Sequence, residues 1–236
     1  MHLESNRIVD ALARLQRFAH SPDHEIQPDL TIAISRQAGA SGGEVARAIG
    51  NRLGWPVYDQ ELVKRIAQEK GVKEQLLATL DERYVGWLEE VAAALSTESG
   101  FLEGTYFNEL MHLFDSLAKV GRCVIVGRGA VHVLPPRTTL CVRLVAAKSV
   151  RIARIQKLQG VSSQEAERWV DHTDKSRLAF VKHHFNKDAR DPLFYDILLD
   201  SGRFTIDECA TIIVHATQLR EPHLHTRHEK ASAVRT

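Results

Sequence analysis

The spacing of apolar residues changes several times along this chain, and each change marks an element. Over residues 5–19, Ile8, Val9, Leu12, Leu15 and Phe18 recur at three and four and predict an amphipathic helix. The polar stretch 20–29, with Pro22 and Pro28, breaks that period and reads as a linker. Residues 30–35 are short, apolar and β-branched, so they predict a buried strand. A glycine-rich turn fills 36–43. Helical spacing returns over 44–53, where Val45, Ala46, Ile49 and Leu53 share a face and Gly54 closes the helix. Residues 55–59 are a short extended piece. Asp59 then caps a helix over 60–70, which Gly71 ends. Residues 72–120 read as almost wholly helical, with a break at 96–100.

The second half alternates strands with helices. Apolar runs at 123–126, 139–145 and 195–200 predict strands, the first followed by Gly127-Arg128-Gly129. Helices are predicted over 149–158, 162–184 and 205–217, and Ser162 with Glu165 resembles a capping box. Such alternation implies βαβ units, hence an α/β domain with a parallel sheet and helices on both faces. That domain spans 30–217, after an N-terminal helix and linker at 1–29. The helical block at 60–120 reads as an insertion over the strand ends, where ligands bind in such sheets. The tail 218–236, with His223, His225 and His228 among charges, reads as flexible and its histidines as solvated, so no metal site is assigned.

Composition narrows the function. Lys+Arg 31 against Asp+Glu 30 leaves +1 over 236 residues, so there is no basic field for a nucleic-acid partner. No apolar run is long enough to span a membrane, and the first residues lack a signal-peptide core. Three widely spaced cysteines fit buried thiols in a reducing, cytoplasmic compartment better than disulfides. The sequence carries no signal of oligomeric state.

The candidate chemistry sits in the turn Ser35-Arg36-Gln37-Ala38-Gly39-Ala40-Ser41-Gly42-Gly43-Glu44. A strand, a glycine turn and a helix N-terminus together present backbone N–H groups to a phosphate. The turn departs from G-x-x-x-x-G-K-[ST]: it has no lysine, and Glu44 stands where a magnesium-binding hydroxyl would be. At a helix N-terminus that carboxylate is favourable without any metal.

Ile34-Ser35-Arg36, then Gly39 through Ala46, then Leu53-Gly54 with Tyr58-Asp59-Gln60-Glu61-Leu62, resemble the cytidylate kinase-like family. The likeness continues through Asp81-Glu82-Arg83, Val126 to Gly129, Arg151, Arg154, Asp174, Arg177 and Tyr195-Asp196, so it covers about residues 30–215. It implies a P-loop kinase-like three-layer fold with a nucleoside-monophosphate-binding insertion at 60–120 and a short lid within 150–190. It also implies transfer of the γ-phosphoryl group of ATP, with Mg2+, to CMP or dCMP. Such chemistry rests on positioning and charge neutralisation, so arginines matter most.

The resemblance assigns phosphate binding to Ser35, Arg36, Gly39, Ala40, Ser41, Gly42, Gly43 and Glu44. It assigns catalysis to Arg128, Arg154, Arg177 and Arg151, and acceptor binding to Asp59, Arg65, Arg128 and Asp174. No Mg2+ ligand is identifiable. Cytidylate kinase has an acidic residue where Gly129 stands here, which bears on cytosine recognition. Two other readings remain open: a nucleotide-binding regulatory protein without catalysis, and a kinase of another small acceptor.

Overall fold

Parallel strands are buried on both faces and therefore read as unbroken apolar runs, which is how the central strands of this sheet appear in the sequence. The computed structural model describes residues 29–59, 121–127 and 129–232, with side chains through residue 220. In chain order they form β1 (Thr31–Arg36), α1 (Gly42–Leu53), β2 (Val57–Tyr58), β3 (Val124–Val126), α2 (Ala130–Val133), β4 (Thr139–Val145), α3 (Lys148–Gln159), α4 (Ser163–Phe185), β5 (Ile197–Asp200) and α5 (Ile206–Ser232). Of the helix and linker expected over 1–29, residues 1–28 lie outside the described residues, as does the helical insertion expected over 60–120.

All five strands are parallel, in the order β2-β3-β1-β4-β5. The fold is the expected α/β arrangement with a parallel sheet. Because side chains alternate along a strand, Ile32, Ile34, Val124, Val126, Leu140, Val142 and Leu144 point to one face. There they pack in one core with Val45, Ala46 and Ile49 of α1 and Cys209, Ala210 and Ile213 of α5. The alternate positions on β1 and β4 include Ser35 and Arg143, which are direct register partners. Cys123, Cys141 and Cys209 are buried free thiols, and burial pushes the Cys141 thiol up to about 12.

The helix ends follow local chemistry. Gly54 closes α1 in a left-handed conformation, its N–H bonded to Gly50 O. Ser162 and Glu165 form the full capping box that starts α4. Lys148 reaches both Glu167 and Asp171 and ties the start of α3 to the first turns of α4. The last helix departs from expectation. It does not stop at residue 217 but runs through Ser232, across Pro222. No glycine stands at 218–221 to end it, and Arg220 anchors it by donating to Thr139 O, Pro136 O and Asp196. Among the described residues, no helix is long and apolar enough to cross a membrane.

The topology places the site. The chain leaves β1 toward β2 at the sheet edge, and leaves β3 toward β4 on the other side of β1. Adjacent strands whose connections depart in opposite directions open a crevice at their carboxyl ends, where open α/β sheets bind ligands.

Candidate functional site

The turn after β1 is held by its own backbone and by two helices on its far side. Gln37 N–H donates to Leu144 O, and Ala40 N–H donates to Gln37 O. The Gln37 side chain accepts from Ala146 N–H at 3.1 Å. Gly39, at φ +75°, approaches α3 so closely that a Cβ there would lie 2.7 Å from Arg151 O. Ser41 adopts φ 54° at the start of α1, and Glu44 follows in the first turn. After this bonding, the N–H groups of Gly39, Ser41, Gly42, Gly43 and Glu44 have no acceptor among the described residues. They converge at a helix N-terminus, the arrangement that receives anions.

Arg151, Arg154 and Asp174 are committed to this turn. Asp174 accepts from Ala38 N–H at 2.7 Å and from Arg151 Nη1 at 2.6 Å. Arg151 also donates to Ala38 O and Ala146 O, both at 3.0 Å, and is buried. Arg154 donates to Gly39 O, to Ser201 O and to Ser201 Oγ. These groups brace the turn. The sequence pattern places Arg151 and Arg154 in catalysis and Asp174 on the acceptor; in the structure all three bond to the turn or its neighbours, and Asp174 also lines the cleft.

Arg36 and Arg177 lie on the open side. The Arg36 stem crosses Gly42, where a Cβ would meet Arg36 Cγ at 2.7 Å. Its guanidinium rests on Gly127, where a Cβ would meet Arg36 Nη1 at 2.0 Å. Both glycines are thus required for Arg36 to span from α1 to the end of β3. Arg177 of α4 donates to Arg36 O at 3.3 Å. Asp59 is the residue after β2, and Arg65 and Arg128 lie outside the described residues.

Between these elements is a cleft of about 280 Å³. Ser35 and Arg36, Gly127 and Gly129, and Asp174 and Arg177 are among its lining. Arg143 also lines it, and sequence reasoning missed this residue. Arg143 is 6% exposed and donates from Nη1 to Ser35 Oγ at 2.9 Å and to the Tyr195 hydroxyl at 3.1 Å. The available signal was a charge inside an apolar strand, Leu140-Cys141-Val142-Arg143-Leu144-Val145.

An aromatic wall adjoins it. His132 packs against Phe185 at 5.5 Å and Phe194 at 5.0 Å, ring centre to ring centre. Burial, with the charges of Lys187 and Arg143, lowers the His132 pKa to about 4, so its ring is neutral near pH 7. Gly129 has φ +76°, and a Cβ there would lie 2.2 Å from the Phe185 ring. The space beside position 129 is therefore filled by an aromatic ring from the end of α4.

The cytidylate kinase-like family profile matches residues 31–203. The chain belongs to that family. Among curated relatives, the cytidylate kinase of Methanothrix thermoacetophila is 29% identical over 197 residues, covering 81% of this chain and 98% of the relative. The cytidylate kinase of Pyrobaculum aerophilum is 24% identical, covering 80% of this chain and 92% of the relative. A crystal structure of an uncharacterized protein from Eubacterium ventriosum superposes with a TM-score of 0.59 at 19% identity, covering 80% of this chain and 99% of that one. That likeness shows the fold alone, and both curated relatives carry the name cytidylate kinase.

The residues present fit the family's phosphate chemistry in one respect and not in another. The unbonded N–H groups at 39 and 41–44, with the Arg36 guanidinium nearby, suit nucleotide phosphates. Among the described residues there is no group of three His, Cys, Asp or Glu side chains that would hold a metal ion. Mg2+ is commonly held by substrate phosphates with few protein ligands, so it fits here as part of the bound nucleotide.

Proposed function

We propose that this protein transfers the γ-phosphoryl group of ATP to a nucleoside monophosphate, with CMP or dCMP as the acceptor. One observation carries the reading. The family's glycine turn delivers unbonded N–H groups at 39 and 41–44 to the carboxyl edge of the sheet, at the switch point between β1 and β3. Curated relatives named cytidylate kinase, aligned over nearly their whole length, support the acceptor.

In the reaction an acceptor phosphate oxygen bonds to the γ-phosphorus while the bond to the ADP oxygen breaks. The protein contributes position and charge. The N–H row orients the donor phosphates. Arg36, lying against the turn, supplies the cation that the missing lysine would give. Arg177 approaches from α4, which forms the lid side of the cleft, and Arg128 stands between the two glycines that follow β3. Arg151, Arg154 and Asp174 keep the turn in shape.

A coupled assay of ADP release with Mg-ATP, run across all nucleoside monophosphates, tests this. Release that depends on CMP or dCMP, and falls strongly in Arg36→Ala and Arg177→Ala, is expected. ATP-induced thermal stabilisation without acceptor-dependent release replaces the reading with a regulatory nucleotide-binding protein. A second reading, a kinase of another small acceptor, is favoured by one feature: Phe185 fills the space beside Gly129, where cytidylate kinase carries an acidic group. Release that peaks with a different monophosphate selects it.

A further inference from the structure

Buried charges in proteins are paired, because an isolated ion loses its hydration without compensation. Arg143 departs from that rule. It sits at the carboxyl end of β4 at 6% exposure, and no carboxylate lies within 4.0 Å of it among the described residues. Its Nη1 is engaged by two neutral hydroxyls, Ser35 Oγ and Tyr195 Oη. Its Nε and Nη2 have no hydrogen-bond partner among the described residues, yet neither is a sealed, unsatisfied atom. The cleft, which Arg143 lines, is the space they open to. Arg151 provides the contrast: equally buried, it has Asp174 at 2.6 Å.

The surroundings hold Arg143 without neutralising it. The Tyr195 hydroxyl donates to Ala189 O at 2.7 Å and lies 3.3 Å from Ser35 Oγ, so both hydroxyls keep partners without the arginine. The Tyr195 ring lies 5.4 Å from the guanidinium carbon. The charge of Asp188 reaches Arg143 at a distance, but its carboxylate is bonded to Arg190 through Nε and Nη2. His132, which also lines the cleft, is neutral near pH 7. Among the described residues no carboxylate makes an ion pair with Arg143 itself.

We propose that Arg143 is a ligand-binding residue, and that the Nε/Nη2 edge of its guanidinium receives an oxyanion of the phosphoryl acceptor. A planar guanidinium with one edge pinned and the other open is preorganised for two parallel N–H···O bonds to a phosphate. Arg143 lines the cleft beside Ser35 and Arg177 and is none of the N–H groups at 39 and 41–44; with that row taken as the donor's seat, the arginine is left to the acceptor. The assignment to the acceptor rests on the kinase reading; the anion seat itself does not.

The test compares the full chain with Arg143→Gln and Arg143→Lys. Four readings are taken: the melting temperature without ligand, its rise with inorganic phosphate at fixed ionic strength, and calorimetric binding of CMP and of ATP. A structural arginine, once removed, lowers the ligand-free melting temperature. An unpaired ligand-binding arginine leaves it unchanged or raises it. In Arg143→Gln the phosphate response shrinks, CMP binds about tenfold or more weakly, and ATP binding stays within about threefold. Arg143→Lys restores part of the phosphate response. If Arg143→Gln answers phosphate as the wild type does, the proposal is overturned. If the wild type binds no CMP but its phosphate response depends on Arg143, the seat stands and the CMP acceptor falls.

Discussion

Replacing Asp174 with alanine separates bracing from substrate contact. The substitution removes the acceptor of Ala38 N–H and the carboxylate partner of Arg151 Nη1. The Arg151 side chain is 8% exposed and that of Asp174 is 24% exposed. Breaking a fully buried pair costs about 3–5 kcal/mol, because the remaining charge is stranded. Here the carboxylate is partly solvated, and Arg151 keeps its bonds to Ala38 O and Ala146 O. The expected loss is therefore about 2–3 kcal/mol. In a domain of this size that lowers the melting temperature by about 4–12 °C. Asp174→Asn, which retains one acceptor oxygen, loses about half as much. Urea unfolding with a constant slope measures the difference. Phosphoryl transfer falls as well, since the turn loses its anchor on α4. The double variant Arg151→Met/Asp174→Leu recovers only part of the stability, because an apolar pair strands no charge but leaves the buried Ala38 N–H, Ala38 O and Ala146 O without these partners. A stable Asp174→Ala protein, within about 0.5 kcal/mol of wild type but without activity, refutes the bracing role and returns Asp174 to the substrate.

Two further outcomes follow from the cleft wall. Gly129→Ala costs about 1–2 kcal/mol for the left-handed backbone and a further 1–3 for collision with the Phe185 ring. Adding Phe185→Ala relieves only the second part, and a double-mutant cycle in urea with strictly additive effects would exclude the collision. His132 gives a pH signature. Its folded pKa of about 4 lies below the ordinary 6.5, so between those values only the unfolded chain takes up the proton. Stability is full above about pH 6.5 and declines as the pH falls toward 4. In His132→Phe the unfolding midpoint declines less over that window; an equal decline in both proteins removes His132 as the cause.

The fold was largely legible because its signals are local. Continuous apolar runs marked β1, β3 and β4, and Gly54 and the Ser162–Glu165 box marked helix ends where the structure has them. Two elements escaped for physical reasons. α2 is a single turn, too short to show a period. The end of α5 is set by tertiary bonds from Arg220 to β4, its preceding loop and Asp196, which no local pattern contains.

The site was legible by location and less so by role, and the arginines show why. Sequence order identifies the turn, the strand ends and the helices that meet there. It does not reveal what a guanidinium touches once the chain is folded. Arg151 and Arg143 are the same residue type, both buried, on consecutive elements β4 and α3. The family pattern drew attention to Arg151, yet its charge is answered by Asp174, a full helix away in sequence. Arg143 drew none, yet among the described residues no carboxylate pairs with it, and it lines the cleft. Removing one partner of a buried ion pair strands the other charge, so Arg151 with its carboxylate and Arg143 without one answer differently to substitution. That distinction depends on a partner in space. The most informative position for acceptor chemistry was thus hidden in a strand that looked like core.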